Sequence, residues 1–297
     1  MIRASGNGAV LRGIAWMGLA MSFIGIVDGI AKYLAQTLNG VQVAWSYFGA
    51  MLVNLLVVVL VTAARRRRLV ALADLVRTRR IALQLSRAGC LVLSLSCLFV
   101  SLSYLGLAEA TVVSFTSPLF IVALAGPVLS EQVTWQRWLA VCLGLLGAVI
   151  VVRPGTAVFQ WAALLPLAGA VFFSFFHLLT RMIGTADPPF TTLFYTMCGG
   201  TLMLSAAMPA VWSPMTGLEV AVAFLSGSVG LLAHGALVRA LSLADASALA
   251  PMNYVRLVWA IGIGYMLFAE VPDPFTLVGG AIIVGSGLYV VHSAATR

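Results

Sequence analysis

Along this chain the apolar residues come in long blocks separated by short polar punctuation, with neither strand-like alternation nor a solvated helix face. The blocks of spanning length lie at about 12–34, 41–63, 83–106, 109–130, 134–152, 158–182, 189–211, 218–241, 245–268 and 273–293. A membrane-crossing helix needs about 20 apolar residues, so the pattern predicts ten passages. The breaks carry turn-forming or charged residues: Asn39-Gly40, the arginines at 65–68, Glu131, Arg153-Pro154-Gly155, Asp187-Pro188-Pro189, Ser213-Pro214, Asp245 and Pro272-Asp273-Pro274. Backbone polar groups in lipid must pair internally, and no porin-like alternation is present, so the passages are predicted to be helices.

Composition strengthens this reading. Hydrophobic residues make up 62% of the 297 positions, charged residues 9%, and mean hydropathy is +1.06. A soluble domain carries about 25% charged residues, far more than this chain could place on a wetted surface. The expected fold class is therefore an all-α integral membrane protein. The net charge of +8 does not point to nucleic acid, because seven of the 17 basic residues fall within 65–80, beside a membrane segment. Arginine there sets orientation and attracts anionic headgroups. The stretch at 65–80 reads equally as a short helix lying on the inner leaflet or as a basic loop. With a cytoplasmic N-terminus, Arg3, Arg12, the arginines at 65–68, Arg77, Arg79, Arg80, Arg87, Arg137, Arg181, Arg239 and Arg297 fall on the inner side. That is fourteen of seventeen, and it predicts that both termini are cytoplasmic. Cys90, Cys97, Cys142 and Cys198 all lie in apolar stretches without metal or redox spacing. Met1 to Arg12 is short and polar, so no cleavable signal peptide is expected.

Two stretches resemble each other, one at 105–154 opening LGLAEATVVSFTSP and one at 241–292 opening LSLADASALAPMNY. Glu109 matches Asp245, Pro118 matches Pro251, and Glu131 matches Glu270. The copies begin five predicted passages apart. An odd number inverts one copy relative to the other across the membrane. Inverted repeats are the architecture that secondary transporters use for alternating access. The expected domains are 1–154 and 155–297, each a five-helix repeat.

The segments ATVVSFTSPLFIVALAGPVLSEQVTWQRWLAVCLGLLGAVIVVRPG and NYVRLVWAIGIGYMLFAEVPDPFTLVGGAIIVGSGLYV, together with SFIGIVDGIAKYLA near the start, resemble the EamA type of the drug/metabolite transporter superfamily. The likeness covers nearly the whole chain. It implies ten transmembrane helices in two inverted five-helix repeats around a central cavity, in the inner (plasma) membrane of a bacterium. It also implies transport of a small metabolite, and its members carry amino acids, riboflavin, S-adenosylmethionine or toxic compounds. Members often have arginine where this chain reads WSYFGA, so Tyr47 stands in that place.

Ionisable groups at membrane depth are costly and are functional candidates by default. Asp28 and Lys32 are one turn apart on one helix face. They read either as a self-neutralising pair or as a charged lip for a zwitterionic substrate. Arg256, five residues beyond Pro251, needs an anion, which is either a substrate carboxylate or Asp28. His177, in FFSFFHLLTR, reads as a core histidine or as a cavity histidine beside the aromatic wall of Phe173; His234 reads as packing. Tyr104, Ser117 and Asn253 are hydrogen-bonding candidates for a ligand, and Gly25-x-x-x-Gly29 reads as a close helix contact. The expected substrate-binding set is therefore Asp28, Lys32, Tyr47, Tyr104, Ser117, Phe173, His177, Asn253 and Arg256.

The expected function is secondary transport of an amino acid or amino-acid-like compound, by export or exchange. The alternative is uptake of a vitamin or nucleoside-like cofactor such as riboflavin or S-adenosylmethionine. No P-loop is present, so the driving force is a gradient of substrate, protons or a counter-substrate. No cofactor or metal is expected, and the assembly reads as monomer or homodimer. An intramembrane enzyme would need a nucleophile beside a base, for which Ser226, Ser228 and a histidine are the sole faint candidates. A channel would not require an inverted repeat.

Overall fold

A computed structural model describes residues 7–66, 76–129, 134–154, 160–183, 187–243 and 249–295. Within them every regular element is helical: α1 (Asn7–Leu34), α2 (Gly40–Arg66), α3 (Ile81–Ser101), α4 (Leu107–Ser114), α5 (Ser117–Leu129), α6 (Trp135–Val152), α7 (Leu164–Ile183), α8 (Pro189–Ser205), α9 (Met208–Val211), α10 (Gly217–Leu243), α11 (Val255–Phe268) and α12 (Pro274–Ala295). Short 3-10 turns, Trp161–Ala163 and Ala250–Tyr254, lead into α7 and α11. Six described segments are long and apolar enough to cross a bilayer: Val10–Leu34, Gly40–Val61, Ile81–Ser101, Leu107–Val128, Trp161–Thr180 and Gly217–Ala240. Trp138–Val152, Met252–Phe268 and Pro274–Tyr289 are shorter apolar helices. The chain is an all-α membrane protein. The middle of the basic stretch, Glu131 and Asp245 lie outside the described residues.

The predicted block 189–211 is not one helix. It ends at Ser205, turns at Ala206 and Ala207, and restarts as α9. Pro209 has no amide hydrogen to continue a helical ladder but is accepted in the first turn of a new one.

Helix α1 lies along α10 and crosses α11; α3 lies along α7 and α8; α2 packs on α8 and α10; α5 packs on α7; and α6 pairs with α12. The interior is filled by Leu34, Phe48, Met51, Phe99, Leu107, Leu119 and Met197. Leu202, Leu232, Val258 and Met266 point outward, as lipid contact requires and water would not favour. At the α6–α12 contact the backbones nearly touch: a Cβ on Gly147 would stand 2.8 Å from the Gly279 carbonyl oxygen, and one on Gly279 would stand 2.6 Å from that of Gly147. Only glycine permits that approach.

Candidate functional site

Two passages are interrupted inside the bundle. Between α4 and α5 the helix yields at Phe115 and Thr116, where the hydroxyls of Thr111, Ser114 and Thr116 donate to the carbonyls of Leu107, Ala110 and Val113. Pro118 follows with no N–H to offer. In the second interruption, Ala250–Tyr254 winds as a 3-10 turn with Pro251 in its first residues before α11 begins. The interruptions face one another, with the Phe115 and Tyr254 rings 5.4 Å apart. Paired broken helices are where transporters place polar backbone and ligand-reading side chains.

Beside them lies the central ion pair. Arg256 Nε donates to Asp28 Oδ2 at 2.5 Å and Nη2 donates to Oδ1 at 3.1 Å, a two-point fork joining α11 to α1. Close packing makes the reach possible. A Cβ on Gly25 would meet Trp259 at 2.5 Å, and one on Gly29 would meet Ile263 at 2.8 Å. The glycine pair is the helix contact expected from its spacing. Tyr47, on α2, lies against Phe48 and Phe99 and within reach of the charges on both Asp28 and Arg256. A Cβ on Gly230 would come within 2.7 Å of its hydroxyl.

Asp28 and Lys32 do not pair with each other. Lys32 Nζ meets Glu270 Oε1 at 2.6 Å and donates to the Leu105 carbonyl at 2.5 Å, while Glu270 Oε2 accepts the Leu107 N–H at 2.8 Å. Glu270 thus caps the start of α4 from the far end of α11. Nearby, Arg153 and Asp273 meet at 2.5 Å. Asp273 also caps α12 by accepting the Thr276 N–H at 2.8 Å. Burial raises the Asp273 carboxyl, but the Thr276 amide and the Arg153 guanidinium outweigh it and hold the carboxyl below its usual range. Thr37–Glu219 and Gln42–Ser213 contacts complete the ties at this end of the bundle.

The opposite end is held differently. Asp187 accepts from Thr78 at 2.6 Å and Gln84 at 2.8 Å, and Arg80 donates to the Met182 carbonyl at 2.6 Å. One turn beyond Gln84, Arg87 is buried between α3, α7 and α8. Its Nε donates to Thr180 at 2.7 Å, and its Nη1 donates to Thr196 at 2.7 Å and to the Thr192 carbonyl at 3.3 Å. Its guanidinium lies over the Phe176 ring at 4.5 Å. Phe176 adjoins His177, which also packs edge-on against Phe173 at 4.6 Å.

The expected binding residues thus separate into groups. Asp28, Arg256 and Tyr47 converge at the centre, with Asn253 half-buried on the adjoining 3-10 turn. Ser117, whose carbonyl accepts from Ser174 at 3.0 Å, stands near Phe173 and His177. Lys32 belongs to the end tie. Tyr104 is exposed at that same end against Trp161, and does not join the central group. Sequence reasoning overlooked Arg87, counted only as an inner-side charge, and Glu270, seen only as a repeat marker. Arg87 lies inside a block of spanning length, and that position is the signal that could have exposed it. Two clefts of about 280 and 250 Å³ open between α4, α11 and α12, the first apolar and the second bordered by Glu109, Glu270 and Asp273.

An all-helical membrane bundle with facing broken helices and an interior ion pair has the form of a solute carrier. The profile of the EamA-like transporter family matches residues 11–153 and again 160–291, and the chain belongs to that family. It is a small-metabolite membrane transporter and not an enzyme. Among its relatives, an S-adenosylmethionine uptake transporter of Rickettsia felis is 29% identical over 95% of this chain and 93% of its own. A riboflavin transporter of Vibrio cholerae is 28% identical over 95% and 93%. A pseudopaline exporter of Pseudomonas aeruginosa is 26% identical over 92% and 93%. One solved crystal structure superposes with a TM-score of 0.63 at 18% identity, covering 99% of both chains, and shows the fold alone.

Proposed function

We propose that this transporter carries a small zwitterionic metabolite built on an amino-acid group, by alternating access of two inverted halves, 1–154 and 155–297. The observation that carries the reading is the Asp28–Arg256 fork, which joins the two halves beside the facing helix breaks. A closed charge pair in that position sets both signs beside the pathway without freeing either, surroundings that suit a solute whose own charges balance. The pattern of helix packing supports the inversion. Exchanging the first five passages for the last five turns the α1–α10 contact into α7–α3, and α1–α11 into α7–α5. The distribution of arginines supports cytoplasmic termini.

S-adenosylmethionine, an amino acid bearing an adenosyl sulfonium, is the first compound to test, given the Rickettsia felis relative. Counterflow into proteoliposomes preloaded with it is expected to saturate and to be accelerated by internal substrate. Arg256→Gln is expected to abolish it. Linear, unsaturable flux, or unchanged transport by Arg256→Gln, sinks this reading. A second reading, carriage of riboflavin, is favoured by the Vibrio cholerae relative and is tested in the same vesicles.

A further inference from the structure

We infer that Arg87, at the end of the bundle away from Lys32, is the receptor for the substrate's carboxylate. The assignment rests on the reading of the chain as a carrier of zwitterions. Among the described residues, Lys32, Arg153 and Arg256 each hold a carboxylate within 2.6 Å. Among those same residues Arg87, 6% exposed, touches two hydroxyls, one carbonyl and an aromatic face, and no carboxylate. A buried cation without an anion is a costly arrangement, and arginine cannot relieve it by losing its proton. Asp187, a described acid at this end, is bonded to Thr78 and Gln84 instead.

The guanidinium also has donors to spare. Of its five N–H groups, Nε and Nη1 supply the three bonds to Thr180, Thr196 and Thr192. The two hydrogens on Nη2 have no hydrogen-bond partner among the described residues. Phe176 covers the face of the group, so an anion must approach edge-on, toward Nη2.

The neighbourhood of the guanidinium is not fully filled. His177 shares a helix face with Ala170 and Ser174, which are 2% and 0% exposed, yet it keeps an exposed surface of its own beside Phe176. A side chain on the packed face of α7 that keeps exposure beyond its two ring contacts leaves room for a ligand beside it. Arg256, the arginine expected to read a carboxylate, is already occupied by Asp28 through two bonds. Of the two described cations that are buried, Lys32 has its carboxylate and Arg87 is left to read one.

The test uses the full chain in proteoliposomes, with labelled S-adenosylmethionine and labelled methionine. The competitors are their decarboxylated counterparts and riboflavin. Wild type is expected to prefer each carboxylate compound over its counterpart by about tenfold to a hundredfold, the range for one charge-assisted bond. Arg87→Gln is expected to bring that ratio close to one by raising KM for the carboxylate compound, with competition by the decarboxylated form unchanged. Arg87→Lys retains part of the preference. Thr196→Val, which frees one orienting bond, weakens it without removing it, so the question stays decidable should Arg87→Gln misfold. A wild type with no preference, an Arg87→Gln protein that keeps it, or failure of every carboxylate compound to be moved or to compete overturns the assignment. Transport of methionine with Arg87-dependent preference, but not of S-adenosylmethionine, removes that compound from the proposed function and leaves Arg87 in place. Transport of S-adenosylmethionine with equal competition by its decarboxylated form does the reverse.

Discussion

Where α1 finishes, Lys32 and Arg153 meet Glu270 and Asp273; at the other end Arg87 meets, among the described residues, neutral oxygens and an aromatic ring, while Asp187 is turned to Thr78 and Gln84. Those two cations are each matched by a carboxylate, with Glu109 beside them. This first set joins α1 and the start of α4 to the end of α11, and α6 to α12, as a latch would. The second set leaves a positive charge uncancelled beside an aromatic wall. A cation already matched by a carboxylate has less attraction to offer an anionic ligand than an unmatched one. On the proposed reading, the difference puts closure at one end and recognition at the other.

The largest expected effect comes from creating a second unpaired cation on purpose. Asp28→Asn strands Arg256 in the interior, and removing one partner of a buried pair costs about 3–5 kcal/mol. Thermal unfolding in detergent should show a large fall in midpoint, with transport lost. Arg87→Gln removes a charge that no described carboxylate pairs, so the three bonds it gives up are offset by relief of desolvation, and its loss should be less than half that of Asp28→Asn. Equal losses would erase the distinction between the balanced and unbalanced sites.

Next in size is the latch. Glu270→Gln leaves an oxygen to accept the Leu107 N–H and leaves Lys32 its bond to Leu105, removing only the charge that Lys32 faces. Because Glu270 is 28% exposed, the cost should be about 1–2 kcal/mol. A double-mutant cycle with Lys32→Met should return that coupling, and a cysteine placed at Ala108 should react faster with a soluble thiol reagent once the tie is cut. No coupling would mean that Lys32 and Glu270 are neighbours without being a tie.

Much of the fold was legible because its signal is one-dimensional. Blocks of apolar residues and their polar breaks mark helices whatever those helices pack against. The Asp28–Arg256 partnership was also open to reasoning, since each residue is a lone charge in an apolar block and each demands an opposite. Lys32 was harder. Its near neighbour Asp28 offered a local partner, and nothing in the spacing says that Glu270, far along the chain, lies closer in space. Arg87 was hidden by its position near the start of a passage, where an arginine ordinarily belongs to the membrane surface. Only the burial of the α3 face carrying Gln84 and Arg87 shows that it points inward. The end of α8 at Ser205 escaped because Ala206 and Ala207 are good helix formers, and the break is imposed from ahead by Pro209.

The smallest effect is the one that tests whether both ties in the latch are alike. Arg153–Asp273 is the more exposed, with side-chain accessibilities of 22% and 40%, so screening by water keeps its worth below about 1 kcal/mol. The Asp273 carboxyl is held below its unfolded value of 3.8, so its contribution is fully present above that pH and disappears as pH falls through the lower folded value. Asp273→Asn keeps the cap on Thr276, because asparagine oxygen accepts the same N–H, and deletes the charge alone. Unfolding midpoints of wild type and Asp273→Asn should therefore differ slightly at neutral pH and converge in acid. A difference that persists at pH values well below 3.8 would show that Asp273 acts through packing of α12 and not through Arg153, leaving Lys32–Glu270 as the ion pair that ties the halves at that end among the described residues.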